Sequence, residues 1–273
     1  MEKGFKKIFC RRHLIMYLKK YFKIWWIVNR MSLQAIISTK IAALFYLTGK
    51  FFRFFAFLWF LLHIQERLTQ ISGFTTNQLI LVFLLFNIFD LLGQIFFRGI
   101  YWFLGAVVNG DLDKYLLKPI NDLFQLLMIR MDFLDLPLLV MTILMLPFYL
   151  PKLTWQMIGS FLVISITSFL LIAIFHILVM IVSIWTLDDS LLWIYRDMSG
   201  VSRIPASIYP QWLKNILTWI LPIIPIMFYP ALVLIRPFNY LTIISVLVCT
   251  FIAGILVINL WRISLRRYTS ASS

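Results

Sequence analysis

Long runs of apolar residues recur along the chain, and polar residues gather in the segments between them. A helix that spans the hydrocarbon core of a bilayer needs about 20 mostly apolar residues. Six stretches meet this requirement: residues 41–64, 78–97, 133–150, 155–185, 212–235 and 240–261. The pattern therefore predicts an all-α membrane protein with six transmembrane helices. Because six is an even number, both termini are expected on the same side of the membrane.

The composition supports this prediction. Hydrophobic residues make up 62% of the chain and charged residues only 13%, whereas about 25% of residues are charged in a typical soluble domain. These values exclude a soluble enzyme, a secreted disulfide scaffold and a disordered regulator. The two cysteines, Cys10 and Cys249, lie at opposite ends of the chain and suggest no disulfide framework.

The distribution of positive charge predicts the orientation in the membrane. Most of the 25 lysines and arginines fall before the first span, between the second and third, between the fourth and fifth, or after the sixth. The opposite side carries only Arg67, Lys152 and Arg236. By the positive-inside rule both termini are cytoplasmic. Since orientation accounts for the net charge of +14, the sequence predicts a multi-pass protein of the cell membrane and no nucleic-acid partner.

Residues 1–40 form a basic segment in front of the transmembrane domain, residues 41–273. Cations alternate with apolar residues in it, and Trp25 and Trp26 are typical of a membrane–water interface. This pattern favours an amphipathic helix that lies on the anionic cytoplasmic leaflet. A solvated basic tail is the alternative.

The segment 98–122 is too polar to span the bilayer and too apolar for a free loop. We expect two short helices with a break near Gly110, the second capped by Asp111 and ended by Pro119. Asp111 and Asp113 could be read as paired catalytic carboxylates or metal ligands. No histidine or third carboxylate nearby completes such a set, so a structural role is favoured.

Prolines punctuate the second half of the chain. Arg203 and Pro205 belong to a predicted structured turn on the cytoplasmic side, in the loop 186–211. The fifth span is interrupted by three prolines, each of which removes a backbone donor. Either a kinked helix or a segment that half-spans the membrane and returns fits these prolines: Pro222, Pro225 and Pro230.

Lys50, Arg53 and Asp90 fall well inside predicted spans, where a charge is costly. Lys50 and Arg53 share one face of the first span, and Asn87, Asp90 and Gln94 share one face of the second. We expect these faces to meet, with Asp90 neutralising Lys50 or Arg53. The pair could stabilise the packing of the two helices or line a transport path. If the first span began near residue 51, both cations could instead snorkel to the interface.

No motif for chemistry is present. The chain has no GxxxxGK[ST] phosphate loop and no HExxH, CxxC or GxSxG motif. The sequence therefore predicts no catalytic residue, metal site or cofactor site of its own. His176, within the fourth span, is expected to be a hydrogen-bonded residue of the helix bundle.

Three segments resemble ABC-2-type permeases, the membrane subunits of ATP-binding-cassette exporters. They are FRGIYWFLGAVVNGDLDKYLLKP, VSRIPASIYPQWLKNILTWILPIIPIMFYPALVL and WRISLRRYTSASS, and they occur in the expected order. The resemblance covers most of the chain from about Ser32.

The resemblance implies a function and a set of partners. Two six-helix subunits would pair, as a homodimer or a heterodimer, and move a substrate by alternating access. ATP and Mg²⁺ would be bound by a separate ATPase subunit. The candidates for coupling to that ATPase are Gly110, Asp111, Asp113, Pro119, Arg203 and Pro205. The region of Pro222, Pro225 and Pro230 resembles re-entrant helices at the exit, and the first, second and fifth spans would contact the substrate.

Three other functions compete with this interpretation. A secondary transporter or channel working alone predicts internal repeats and several intramembrane acids. A lipid transferase needs a histidine or carboxylate cluster at the interface. A membrane scaffold without transport is the third alternative.

Overall fold

The computed structural model describes residues 19–34, 38–128, 130–236 and 239–268, which form helices and loops without a β-strand. Residues 19–34 are helical. The helices that follow are α1 (Lys40–Ser72), α2 (Thr76–Val108), α3 (Leu112–Leu116), α4 (Asp122–Met128), α5 (Phe133–Tyr149), α6 (Trp155–Thr186), α7 (Ser190–Ser199), α8 (Gln211–Ile220), α9 (Ile224–Ile235) and α10 (Tyr240–Arg267).

Within the described ranges, four helices are long and apolar enough to cross a membrane: α1, α2, α6 and α10. The count rises to six if each bent pair forms one span, α4 with α5 (bent by 47°) and α8 with α9 (bent by 88°). The prediction of an all-α membrane fold is confirmed. The four long helices lie close to the predicted spans but extend past them at one or both ends.

Helix α2 is the centre of the bundle. In its most apolar window 72% of the residues are buried, against 11% in α1 and 17% in α10. A helix that is apolar on all sides is stable only when other helices surround it. A reciprocal capping box fixes its start: the Gln78 amide donates to the Thr75 hydroxyl, and the Thr75 amide donates to the Gln78 side chain (2.9 Å).

The bundle has two ends, which we name the base and the top. The base is where α2 and α6 end, and the top is where α1 and α5 end. Asn29, in the helical residues 19–34, donates to the Met128 carbonyl at the base (3.2 Å). The Arg267 guanidinium lies over the Trp185 ring there (5.5 Å). The two ends of the described chain therefore share one end of the bundle.

Residues 19–34, part of the segment predicted to be an interface helix, are helical with one side against the protein. The buried or half-buried positions, which include Trp25 and Asn29, recur every three or four residues. Phe22, Trp26 and Met31 remain exposed together with the basic residues. Residues 1–18, the first part of the predicted helix, lie outside the described residues.

The segment 190–208 runs through the bundle from base to top. Tyr195 of α7 stacks on Phe175 of α6 (4.2 Å between ring centroids), and Ser207 Oγ donates to the Ser72 carbonyl at the top (3.3 Å). Its helical turns, residues 190–203 and 206–208, cover about 29 Å when laid end to end. The extended residues 204 and 205 add about 7 Å, so the segment is long enough to cross a hydrocarbon core of about 30 Å.

The prediction of a cytoplasmic loop over residues 186–211 is therefore wrong. Helix α7 has only ten residues and includes Arg196 and Asp197, so no apolar run marks a span. Its buried face, with Leu192 and Tyr195, packs against protein. A segment sheltered by protein in this way need not be apolar on every side.

Helices α8 and α9 form a hairpin that enters and leaves at the top. The chain before α8 contacts Ser72 through Ser207, and the Arg236 guanidinium after α9 lies over the Phe74 ring (5.0 Å). Both flanks thus meet the same loop between α1 and α2. Of the two alternatives that the prolines left open, these contacts favour the half-spanning segment.

The three prolines mark the turn and the second leg of this hairpin. Pro222 lies in the turn at the 88° bend, and Pro225 and Pro230 lie in the first turns of helical stretches, where a missing donor costs little. The Pro225 carbonyl accepts a hydrogen bond from Ser168 Oγ of α6 (3.0 Å). Ten helical residues reach about 15 Å from the top, about half the thickness of the bilayer core.

The hairpin predicts the side from which α8 can be labelled. In a background with Cys10 and Cys249 replaced by serine, Gln211→Cys should react with an impermeant maleimide from the same side as Leu153→Cys. The base reference, Lys118→Cys, should react only from the opposite side. If Gln211→Cys is labelled from the side of Lys118→Cys, α8 and α9 form a kinked span.

Candidate functional site

A network of polar side chains crosses the interfaces of α1, α2 and α5. Lys50 of α1 forms an ion pair with Asp135 of α5, and its Nζ also donates to Gln94 Oε1 of α2 (3.3 Å). Asp135 is fully buried and the side chain of Lys50 is 9% exposed. The Lys50 ammonium lies over the ring of Tyr46 (4.6 Å). One cation thus ties three helices together.

Asp90 joins this network indirectly. The Gln94 amide donates to Asp90 Oδ2 (2.9 Å), so Gln94 bridges Asp90 and Lys50. The predicted contact between the polar faces of α1 and α2 is confirmed. The predicted direct pair of Asp90 with Lys50 or Arg53 is wrong, since neither pair is among the ion pairs of the described residues. Gln94 lies one turn nearer the base and takes the intermediate position.

Asp135 was missed by the sequence analysis. It lies two residues inside the predicted third span, where an acidic residue is usually assigned to the membrane–water interface. The spacing of Asp132 and Asp135, three residues apart on one helix face at a span boundary, could have indicated that both take part in the polar network.

A second polar layer closes the network toward the base. Asp132 accepts from the Tyr46 hydroxyl (3.4 Å) and pairs with Arg98 Nε (3.5 Å). The Arg98 guanidinium also lies over the Tyr101 ring (4.6 Å). Arg98 is eight residues nearer the base than Asp90, which puts Asp90 about 12 Å deeper in the bundle.

Toward the top the network borders a narrow recess of about 10 Å³ that three cations line. Lys50, Arg53 and Arg203 line it with Asn87, and its apolar wall is formed by Phe54, Phe57, Phe83 and Leu138. Asn87 donates to the Phe83 carbonyl of its own helix (2.8 Å), so its amide is held in place. The Arg203 guanidinium lies 5.4 Å from the ring centroids of both Phe57 and Phe86.

Arg203 and Pro205 are therefore not at the surface where the sequence analysis expected them. They follow α7 inside the bundle, nearer the top than the base, and Arg203 belongs to the recess. Gly110, Asp111, Asp113 and Pro119 lie at the base. The six predicted coupling residues thus fall into two separate regions.

The loop from α2 to α4 protrudes at the base. Gly110 adopts φ +73°, a left-handed conformation that favours glycine, and ends α2 as predicted. The Asp111 carboxylate accepts from Lys114 Nζ (2.5 Å), and this contact raises the pKa of the Lys114 amine. The predicted cap is thus wrong: Asp111 precedes α3, but its side chain makes no capping bond because the lysine one turn on engages it.

The protruding loop is held on the bundle by a buried amide. Gln125 Nε2 donates to the carbonyls of Tyr115 and Ile120 (3.1 Å each). Leu117, between α3 and Pro119, is 85% exposed. An isolated leucine on a fixed loop is a suitable contact for another protein, and no motif in the sequence points to it.

Two more features border the hairpin. His176 is buried in α6 with Nδ1 2.7 Å from the Ile172 carbonyl, which confirms the prediction of a hydrogen-bonded bundle residue. A mostly apolar cavity of about 470 Å³ lies between the hairpin, α6 and α10.

Among the described residues, no three His, Cys, Asp or Glu side chains are close enough to hold a metal ion.

A comparison with protein families identifies the fold's relatives. The family described as ABC-2 family transporter protein matches residues 47–272. The chain belongs to this family. No curated protein and no solved structure matches the chain. The ABC-2 match covers the recess, the hairpin and the protruding loop, and it leaves the basic N-terminal segment outside.

The ion pair between Lys50 and Asp135 predicts the effect of removing either charge from this ABC-2 protein. Lys50→Met should lower the free energy of unfolding by about 3–5 kcal/mol, because it leaves Asp135 buried without its partner. Thermal melting in a neutral detergent measures this. The double variant Lys50→Met/Asp135→Leu should recover most of the loss, and Lys152→Met, at an exposed position, should have little effect. Equal melting of Lys50→Met and wild type would contradict the pairing.

Proposed function

We propose that this chain is the permease subunit of an ABC transporter, an exporter that moves its substrate by alternating access. A separate ATPase subunit binds ATP and Mg²⁺ and drives the cycle. Membership of the ABC-2 family carries this proposal, because the family implies association with an ATP-binding-cassette subunit. The absence of a phosphate-loop motif in the sequence is consistent with it.

The base is the cytoplasmic side in this proposal, with the chain in the cell membrane. Cations cluster there, at Arg98, Lys114, Lys118, Arg130, Arg262, Arg266 and Arg267. Arg67, Lys152, Lys214 and Arg236 flank the top. The corrected path of residues 190–208 moves Lys214 to the top and Arg203 into the bundle, and the asymmetry still favours a cytoplasmic base.

The protruding loop at the base is the contact for the ATPase. It combines a fixed backbone, the exposed side chain of Leu117 and the charged residues Asp111 and Asp113. A second permease subunit packs against the exposed side of the bundle, where α1 presents Phe45, Phe52 and Trp59. Large exposed apolar surface on a membrane helix is covered by lipid or by another helix.

The test is to purify the full chain from its native membrane in a gentle detergent and assay ATP hydrolysis in the eluate. We expect a co-purifying ATPase. Leu117→Glu, and Asp111→Asn combined with Asp113→Asn, should each reduce the associated activity by about tenfold, the cost of losing a contact of about 1.4 kcal/mol.

The matched control is Leu153→Glu, the same substitution of an exposed leucine at the top. It should keep the activity of wild type. A wild-type chain that purifies without any ATPase would contradict the proposal and favour a transporter that works alone or a scaffold.

A further inference from the structure

The hairpin of α8 and α9 leaves a hollow within the membrane part of the bundle. The hairpin reaches only about 15 Å from the top, about half the thickness of a hydrocarbon core of about 30 Å. The cavity of about 470 Å³ lies beside and below its tip, against α6 and α10. Pockets that hold small molecules have volumes of about 300–1,000 Å³, so this cavity has room for a ligand.

The cavity is long and runs along α10. Its lining on this helix extends from Thr242, near the top, to Val257, a distance of about 22 Å. Helix α10 packs closely on α6 toward the lower end of the cavity, since a Cβ atom at Gly254 would lie 3.5 Å from Ile174 Cδ1. The cavity therefore passes below the hairpin tip at Pro222. A space of this length fits an extended chain better than a compact molecule.

The cavity opens sideways, toward lipid. Trp219 and Ile220 line it at the hairpin tip, and they are 70% and 67% exposed. Leu256 lines it on α10 and is 56% exposed. Exposed apolar side chains of a membrane protein at this depth contact hydrocarbon. An apolar molecule can therefore enter the cavity from the bilayer without crossing water.

The polar groups of the lining are mainly hydroxyls. Among the described residues that line the cavity none is charged, so neither an anion nor a cation finds a charged partner there. Ser245 Oγ donates to the Thr242 carbonyl (2.8 Å), and Thr250 Oγ1 donates to the Val246 carbonyl (2.7 Å). Because each hydroxyl has a single hydrogen, its oxygen lone pairs remain to accept a hydrogen bond from a ligand. The lining thus matches an uncharged molecule that carries a hydrogen-bond donor.

We propose that this cavity binds an uncharged amphiphile from the surrounding bilayer, a molecule with one extended apolar chain and a hydroxyl group. The chain lies along α10 and passes below the hairpin tip, and the hydroxyl donates to Ser245 or Thr250. The bound molecule fills the space that the half-spanning hairpin leaves, and it supports the tip against α6 and α10. This site does not depend on the transport function proposed above.

Photolabelling of the full chain in nanodiscs measures this binding. The probe is a dodecanol that carries a diazirine in its chain, and the labelled residues are identified by mass spectrometry of peptides. We expect label on the cavity lining of α10 and on the hairpin tip, and excess 1-dodecanol should suppress it. Dodecyl methyl ether lacks the donor and dodecanoate is charged, so each should compete about tenfold less well.

Variants then test the residues. Ala253→Phe places a ring in the cavity and should reduce the labelling of its lining by about tenfold. Ala56→Phe, the same substitution at an exposed position of α1, should be labelled as wild type is. Ser245→Ala combined with Thr250→Val should still bind the probe but lose the preference for dodecanol over its methyl ether. That change in selectivity separates the loss of the acceptors from a failure to fold.

Three results would overturn the proposal. The first is equal competition by dodecanol, its methyl ether and dodecanoate. The second is labelling of Ala253→Phe at the level of wild type. The third is label spread evenly over the exposed faces of α1 and α10 without saturation, which would show only bulk lipid. The ATPase co-purification assay keeps the two proposals apart, because a chain that binds dodecanol without an ATPase rejects the transporter and retains the site.

Discussion

The cost of placing charge inside a bilayer organises this structure. Lys50 lies on a mostly exposed and mostly apolar helix, and it is tolerated there because Asp135 and Gln94 bind it. That one cation connects α1, α2 and α5. The Gln94 amide donates a hydrogen bond to Asp90. Nearer the base, Asp132 accepts a hydrogen bond from the Tyr46 hydroxyl and forms an ion pair with Arg98. These contacts join the helices that pack around α2 in the first half of the bundle.

The second half of the bundle meets the same constraint on its backbone. Irregular backbone survives at membrane depth only where protein or water satisfies it. Residues 200–208 cross the bundle in short turns, with the Tyr209 hydroxyl donating to the Val201 carbonyl (2.7 Å). The hairpin of α8 and α9 stops about halfway down, where Ser168 donates to the Pro225 carbonyl. Both elements lie against α2 or α6, and both bring residues of the later chain beside the polar network.

The sequence predicted the long helices, whose apolar composition is required by contact with lipid. It missed the segment and the side chains that are surrounded by other parts of the protein. Helices α1, α2, α6 and α10 could be located because hydrocarbon demands a long apolar run. The meeting of the α1 and α2 faces followed from the helical spacing of Lys50, Arg53, Asp90 and Gln94. The passage of residues 190–208 could not be predicted, because α7 is short and includes Arg196 and Asp197, so no apolar run marks it. Arg203 was misplaced for the same reason, and the role of Asp135 depends on a contact across 85 residues.

The central claim is that this chain is a permease whose helix bundle responds to a partner ATPase, so that the polar side chains beside Arg53 are more than a contact between helices. The most direct measurement is the rate at which a small water-soluble thiol reagent modifies Asn87→Cys, in the absence of other cysteines and with the ATPase partner bound in nanodiscs. The account predicts that trapping the ATPase with ATP and vanadate changes this rate, while Leu153→Cys at the top reacts at a constant rate. A cysteine at position 87 that stays unreactive in every nucleotide state would contradict the claim and assign the charged residues to helix packing alone.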